Sequence, residues 1–340
     1  MADNKRNRDS PQPRQVQIAM CTNAIGRSVR LYTEVFGFAE ASGEVLYGEG
    51  LARMQAVGNT TTCLGWWLLA RQPFIQLELF QHEVPRQRPL PIDWRPNDHG
   101  WVRWGFAVPD FDDCLQRLRN FGIDTITDPM CFSDGVRRVA FRDPHVGTVV
   151  EILEDGPDLP GGSPPHYFNN KPAILYSAVV VPNIGSARDF WIGTLGLEEV
   201  SSDVLHTAEM EILWGLPGAE RTSFVVDADG TFVEVIAYQS PIGKAKSPDY
   251  RLSDQGLQNI ALGYRDRRHL DELVSRLDSE GHTLNSPLGP DNGAPTGTYT
   301  AGHDGTSVEI LTILSDFDEF AGYRPKPASP IKAMLEAITR

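Results

Sequence analysis

At 340 residues, 41% of them hydrophobic, the chain is long enough to bury a core in each of two ordinary domains. A formal net charge of −14 repels phosphate backbones and anionic lipid surfaces, so nucleic acid and membranes are excluded as expected partners and a small molecule is favoured. No window approaches eighteen uninterrupted apolar residues, and Met1 to Arg14 is polar and Pro-bearing, which reads as a disordered leader on a cytoplasmic protein.

In chain order, Val16 to Thr22 is a short apolar strand and Ser28 to Phe36 an amphipathic helix, which Gly37 ends in the left-handed conformation that glycine adopts cheaply. A strand-like run from Phe74 to Phe80 follows, and then an insertion, Val84 to Asp98, whose four prolines surround Trp94 and predict an ordered loop over or between modules. A second helix spans Phe111 to Phe121 before Gly122, and Thr148 to Leu153 closes the first half. The Gly- and Pro-bearing stretch Asp155 to Pro172 reads as a linker.

The second half repeats this order. Leu175 to Val181 is a strand, Ser186 to Leu195 a helix capped by Gly196, Thr231 to Ala237 a strand, His269 to Glu280 a helix capped by Gly281, and Ser307 to Leu311 the closing strand. Gly37 and Gly196 lie 159 positions apart, as do Gly122 and Gly281, so the chain is a duplication. The expected division is a leader at 1–14, domains at 15–155 and 172–315, a linker at 156–171, and a tail at 316–340 in which Pro330 to Arg340 forms a short helix. One helix for about four strands per module points to an α+β fold of curved sheets rather than a doubly wound parallel sheet. Cys21, Cys63, Cys114 and Cys131 show no zinc-ligand spacing and are expected to be buried free thiols.

Gln17-Ile18-Ala19-Met20 followed by Tyr32, Gly37 and Phe38 resembles the opening of the vicinal oxygen chelate superfamily, the glyoxalase, bleomycin-resistance and extradiol-dioxygenase group, with its "Y-x-x-x-x-G-F" helix ending. Val102 to Asp112, Tyr176 to Leu197 and Asn259 to Leu277 look like further copies, and Asp143-Pro144-His145-Val146-Gly147 and Asp304-Gly305 feed endings similar to the family's "D-P-x-G-x-x-x-E" signature. The resemblance implies four βαβββ modules in two tandem domains, with metal ligands on the first and last strands of each module. Carried over, the pattern falls on Gln17, Glu78, Arg103 and Glu151 in the first half and on Tyr176, Glu234, Asn259 and Glu309 in the second. Of these, Gln17, Glu78, Glu151, Glu234, Asn259 and Glu309 are candidate metal ligands, Glu78 and Glu309 candidate catalytic groups, and Arg103, Tyr176 and Trp104 candidate substrate contacts.

Each of the four glutamates stands alone inside an apolar run, as Glu78 does in Ile75-Gln76-Leu77-Glu78-Leu79, and a buried carboxylate there demands water, a cation or a metal. None of the eight positions is His, so the two-His, one-carboxylate set of ferrous extradiol cleavage is missing unless His99 enters through a shifted register. An all-oxygen set suits Mg²⁺ or Mn²⁺ better than Fe²⁺ or Zn²⁺, and since a guanidinium cannot ligate a metal, a site formed by modules one and two around Arg103 would be metal-free. Pairing of modules one with two and three with four, or of one with four and two with three, stays open. In the second arrangement Gln17, Glu78, Asn259 and Glu309 converge, and Arg103, Glu151, Tyr176 and Glu234 form the other set.

The resemblance implies an enzyme of isomerase, lyase or ring-cleavage type, in which a divalent ion holds vicinal oxygens while a Glu moves a proton. The tryptophans Trp66, Trp67, Trp94, Trp101, Trp104 and Trp214 suggest an aromatic or alicyclic substrate, although Trp66 and Trp67, adjacent on a strand, cannot both face one cavity. The alternative is a metal-free binding or resistance protein. Either is compatible with a monomer or a homodimer.

Overall fold

The computed structural model describes residues 12–162 and 170–326. The helix expected at Pro330 to Arg340, most of the leader and the middle of the linker lie outside them.

The fifteen strands of the described residues fall into four modules. The first holds β1 (Arg14–Cys21), β2 (Ala39–Gly48), β3 (Thr61–Leu69) and β4 (Gln76–Val84), and the second β5 (Gly100–Val108), β6 (Met130–Cys131), β7 (Arg137–Arg142) and β8 (Val149–Glu154). The third holds β9 (Ala173–Val180), β10 (Glu198–Val200), β11 (Glu220–Asp227) and β12 (Phe232–Ser240), and the fourth β13 (Gly256–Tyr264), β14 (Thr296–Ala301) and β15 (Ser307–Thr312). Helices α1 (Ile25–Arg30), α3 (Phe111–Asn120), α4 (Ile184–Arg188) and α5 (Arg267–Ser279) supply one per module, and α2 (Glu49–Met54) is an extra turn between β2 and β3. The expected capping glycines adopt positive φ, +84° at Gly37, +84° at Gly122, +75° at Gly196 and +81° at Gly281. The helices at Ser28 to Phe36 and Ser186 to Leu195 begin earlier than expected and loosen into π-helical turns, Leu31–Val35 and Asp189–Thr194. β1 already begins at Arg14, inside the expected leader.

The α+β architecture takes the form of two mixed sheets that cross the duplication. One runs β14-β15-β13-β1-β4-β3-β2 and the other β10-β11-β12-β9-β5-β8-β7-β6. Modules one and four therefore share the first sheet, joined by the antiparallel pair β1 and β13, and modules two and three share the second, joined by β5 and β9. Repeat units in sequence are thus not the units of the sheets.

Strand alternation gives each sheet two faces. On one face Ile18, Met20, Leu77 and Ile260 of the first sheet and Trp104, Phe106, Val150 and Val233 of the second join the helix residues Leu115, Trp191 and Leu273 in one apolar cluster. The other face of each sheet is lined separately and carries the polar positions. Trp66 joins the common core, whereas Trp67 turns to the opposite face, as adjacency requires. Trp104 was expected to contact substrate, but it lies fully buried in the common core among Tyr32, Phe38 and Phe106. One residue from Arg103 along β5, it must face away from whatever Arg103 faces.

Cys21, Cys63 and Cys114 are buried free thiols, whereas Cys131 is exposed, on the two-residue edge strand β6 where no neighbour covers it. No helix of the described residues is long and apolar enough to cross a membrane.

Gly105 lies opposite Tyr176 across the β5 and β9 pair, and a Cβ there would come within 2.2 Å of the Tyr176 ring. Gly105→Ala should destabilise the protein by about 1–3 kcal/mol through overpacking, read as a lowered midpoint in urea unfolding.

Candidate functional site

Register brings the predicted positions together in two sets of four. In the first sheet Asn259 pairs with Ala19, Ala19 with Glu78 and Glu78 with Trp67, forming one row. Two residues along, Tyr299 pairs with Glu309, Glu309 with Ala261, Ala261 with Gln17 and Gln17 with Gln76. Residues opposite one another, and those two apart on a strand, share a face, so Gln17, Glu78, Asn259 and Glu309 converge on one side. Ala19 and Ala261 leave the centre of that face open.

All four side chains are buried, yet they lack the partners that burial demands. Gln17 Oε1 and Asn259 Oδ1 accept no hydrogen bond, the Asn259 amide group being turned so that Nδ2 donates to the Ile260 carbonyl at 3.2 Å. Among the described residues no cation forms an ion pair with Glu78 or Glu309. Burial raises the Glu78 carboxyl to about 7 against a lowering hydrogen bond from Trp67, whose Nε1 donates to Oε1 at 2.8 Å. Burial and then the repulsion of Glu78 raise Glu309 to about 8, against a lowering hydrogen bond from Tyr299. These are two acids short of positive charge.

The tail, expected only as an appendage, covers this face. Arg265 anchors it through Asp318 at 2.5 Å and lies over the Phe74 ring, which in turn packs against Tyr323 with ring centres 4.8 Å apart. Gln76 donates to the Ala321 carbonyl, Gly322 lies against Trp67, and the Lys326 amide donates to the Ala41 carbonyl. The Tyr323 hydroxyl is buried without a partner, and burial followed by the charges of Glu78 and Glu309 raises its pKa far above normal. Nothing in the spacing of the tail marked this tyrosine; only its aromatic character among polar neighbours was legible.

The second sheet repeats the geometry with different chemistry. Glu151, Gly105 and Tyr176 form one row, and Glu234, Ala178 and Arg103 the other. Here every carboxylate is answered. Arg103 Nη2 donates to Glu234 Oε2 at 2.7 Å and its guanidinium lies 4.0 Å from the Trp214 ring centre. Arg221 Nη1 donates to Glu234 Oε1 at 2.9 Å, Arg138 Nη1 to Glu151 Oε1 at 3.1 Å, and the Tyr176 hydroxyl to Glu151 Oε2 at 2.6 Å. His206 bridges the pair, with Nδ1 2.7 Å from Glu234 Oε2 and Nε2 2.9 Å from Glu151 Oε2. Only an imidazolium, with two N–H donors, satisfies both contacts.

Burial alone would raise Glu151, but the His206 and Arg138 charges and the hydrogen bonds of His206 and Tyr176 hold it at about 2. Burial is likewise overcome at Glu234 by His206, Arg103 and Arg221, which hold it well below the usual range. Glu211, accepting from Trp214 Nε1 and the Tyr238 hydroxyl, completes a closed network. An ion at Glu151 and Glu234 would have to break this network, so the expectation of ligands there gives way to one of internal salt bridges.

Sequence reasoning missed His206, because it lies in an irregular connection between β10 and β11 with no periodicity to place it. His99 stays outside both sets, at a cleft between insertions. Among the described residues no group of three His, Cys, Asp or Glu is arranged to hold a metal ion. Gln17, Glu78, Asn259 and Glu309 instead offer two carboxylates and two carboxamide oxygens, a set that fits a hard, oxygen-seeking divalent cation.

Residues 14–152 match the family model described as Glyoxalase/Bleomycin resistance protein/Dioxygenase superfamily. Among solved structures, the chain is similar to a putative dioxygenase from Bacillus subtilis subsp. subtilis str. 168, with TM-score 0.62 and 16% identity over 97% of this chain and 96% of that one. It is also similar to glyoxalase I from Zea mays, with TM-score 0.57 and 14% identity over 91% of this chain and 94% of that one. A mutant of glyoxalase I from Zea mays gives TM-score 0.60 and 13% identity, covering 91% and 96%. At such identities the structural likeness is one of fold. No curated protein matches the sequence.

Two outcomes test the contrast between the sheets. His206→Ala leaves Glu151 and Glu234 without their shared cation and should cost about 3–5 kcal/mol of stability in chemical denaturation. Glu309 is protonated in the fold up to about pH 8 but ionises near 4.5 when unfolded, so the folded state binds the extra proton between those values and wild-type stability falls as pH rises through them. In chelator-treated protein, Glu309→Gln should therefore gain stability relative to wild type from pH 5 to pH 8, by on the order of a few kcal/mol. A constant difference across that range would refute the raised carboxyl.

Proposed function

We propose, from the match of residues 14–152 to the glyoxalase, bleomycin-resistance and dioxygenase superfamily model and from the repeat of that half in the second, that the chain is a tandem enzyme of this superfamily moving a proton on a small oxygenated substrate, with a divalent ion held by Gln17, Glu78, Asn259 and Glu309. One observation carries the reading. The four positions present two uncompensated carboxylates and two orphaned carboxamide oxygens on one buried face. Bound there, a divalent ion supplies Lewis-acid polarisation of substrate oxygens.

The chain's own groups supply the rest. Glu309 would accept and return a proton at its carboxyl oxygens; its raised value of about 8 belongs to the metal-free site, and a bound cation would lower it toward the ionised form that a base needs. Trp67 fixes the Glu78 carboxyl, Tyr299 fixes that of Glu309, and the free Tyr323 hydroxyl is a hydrogen-bond donor for a substrate oxygen. The tail over the face excludes water, which strengthens each of these interactions. Trp67, Phe74 and Phe80 give the surroundings an apolar character that suits an aromatic or alicyclic skeleton. Isomerase or lyase chemistry fits this set better than ferrous ring cleavage, which calls for two His ligands.

A metal-free binding protein is the second reading. It is favoured by the second sheet, where the same architecture satisfies its carboxylates with Arg and His alone. Metal analysis of protein purified without chelator separates the two. About one Mg²⁺ or Mn²⁺ per chain is expected, retained poorly or not at all by folded Glu78→Ala and Glu309→Ala. A wild-type protein that neither carries nor takes up either ion would overturn the enzymatic reading in favour of the binder.

A further inference from the structure

The two insertions that interrupt the repeat meet at a second cavity. The segment after β4 and the segment after β12 are equivalent at an offset of 156 residues, the same that relates Glu78 to Glu234. Together they wall a cleft of about 410 Å³, within the range of ligand pockets, where β5 and β13 begin. Gln17, Glu78, Asn259 and Glu309 do not line it.

Equivalent positions face the cleft from both sides and mostly keep their character. Arg88 corresponds to Lys244, Trp94 to Tyr250 and Asp98 to Asp254. One change introduces a charge, since the position of Leu90 is taken by Lys246 in the second copy. Both pack over an equivalent glycine. A Cβ at Gly256 would lie 3.4 Å from Leu90 Cδ1, and one at Gly100 would lie 2.1 Å from Lys246 Cε.

The acidic groups of the cleft are already answered. Asp249 and Asp254 pair with Arg88, Asp93 pairs with Lys244, and Asp98 accepts the Arg95 and Lys244 backbone amides. Lys246 has no ion-pair partner among the described residues. Its stem fills the space over Gly100 and its ammonium lies 4.0 Å from the Tyr250 ring centre, while Asp304 attracts it only from beyond ion-pair distance. Burial lowers its pKa to about 8. Half-buried where the repeat tolerates leucine, and offset only by the Tyr250 ring and the more distant Asp304, this ammonium keeps the capacity to pair with an anion arriving from outside.

We propose that this cleft is a second ligand site, which takes a small aromatic carboxylate with its anionic group on Lys246 and its ring against Trp94, Trp101 and Tyr250. The ammonium supplies the charge pairing and the indole and phenol rings the apolar area. In a chain of net charge −14 a preference for an anion is not a generic property of the surface.

Titration of tryptophan fluorescence with benzoate, and with benzyl alcohol as the uncharged control, tests the site. Saturable benzoate binding at least tenfold tighter than that of benzyl alcohol is expected. Lys246→Leu, which installs the residue the other repeat carries, should weaken benzoate at least tenfold and leave benzyl alcohol unchanged, whereas Glu309→Gln should leave benzoate binding intact. Equal affinity for the two probes, no saturable binding, wild-type affinity in Lys246→Leu, or loss of binding in Glu309→Gln would each overturn the proposal. Should Lys246→Leu fail to give a cooperative thermal melt, the wild-type preference between the probes decides alone.

Discussion

Two antiparallel strand pairs, β1 with β13 and β5 with β9, hold the molecule's organisation. Each joins the opening strand of one module to that of another from the opposite half of the chain. Register in these pairs sets which residues meet. Gln17 faces Ala261 and Asn259 faces Ala19 in one sheet, while Arg103 faces Ala178 and Tyr176 faces Gly105 in the other. In these four pairs a large polar side chain lies across from a small residue, and a slip of one residue would turn the whole polar set into the apolar core.

From this shared geometry the two sheets solve the problem of buried carboxylates in opposite ways. The second sheet surrounds Glu151 and Glu234 with Arg103, Arg138, Arg221 and His206, so that each charge is compensated within the chain. Such a network is costly to break, although it contributes little compared with an apolar core of the same volume. Among the described residues the first sheet leaves Glu78 and Glu309 without cations and two carboxamide oxygens without donors, a free-energy cost that folding alone does not recover. Uncompensated burial of this kind is characteristic of binding and catalytic sites, and here it is confined to one of two equivalent places.

The tail extends the asymmetry. Residues 315–326 lie over the face that carries Glu78 and Glu309, bringing Tyr323 to the carboxylates and closing the apolar surroundings. Over the second sheet the corresponding cover is the 3₁₀ segment Ala208–Trp214, which brings Trp214 and Glu211 into the salt-bridge network. One cover leaves a buried hydroxyl without a partner, and the other ties Glu211 and Trp214 into the salt-bridge network. The pair of insertions repeats the theme on a smaller scale, since one of their departures from symmetry, leucine to lysine, leaves a charge with no ion-pair partner among the described residues.

The sequence by itself determined the duplication, the order of strands and helices, the capping glycines and the four glutamates, because these follow from periodicity, turn chemistry and the cost of a carboxylate in an apolar strand. It also placed Gln17 and Asn259 beside Glu78 and Glu309 as one of two possible groupings. Only the tertiary structure decided between those groupings, because pairing of β1 with β13 across the intervening chain, residues 22–255, leaves no local trace. It alone turned Trp104 into the core, since the phase of alternation on β5 depends on which face the helices cover. It alone brought His206, Arg138 and Arg221 to Glu151 and Glu234, and Tyr323 to Glu78 and Glu309, because those residues come from the outer strands β7 and β11, an irregular connection and a tail whose positions are fixed by what they pack against rather than by any pattern of their own.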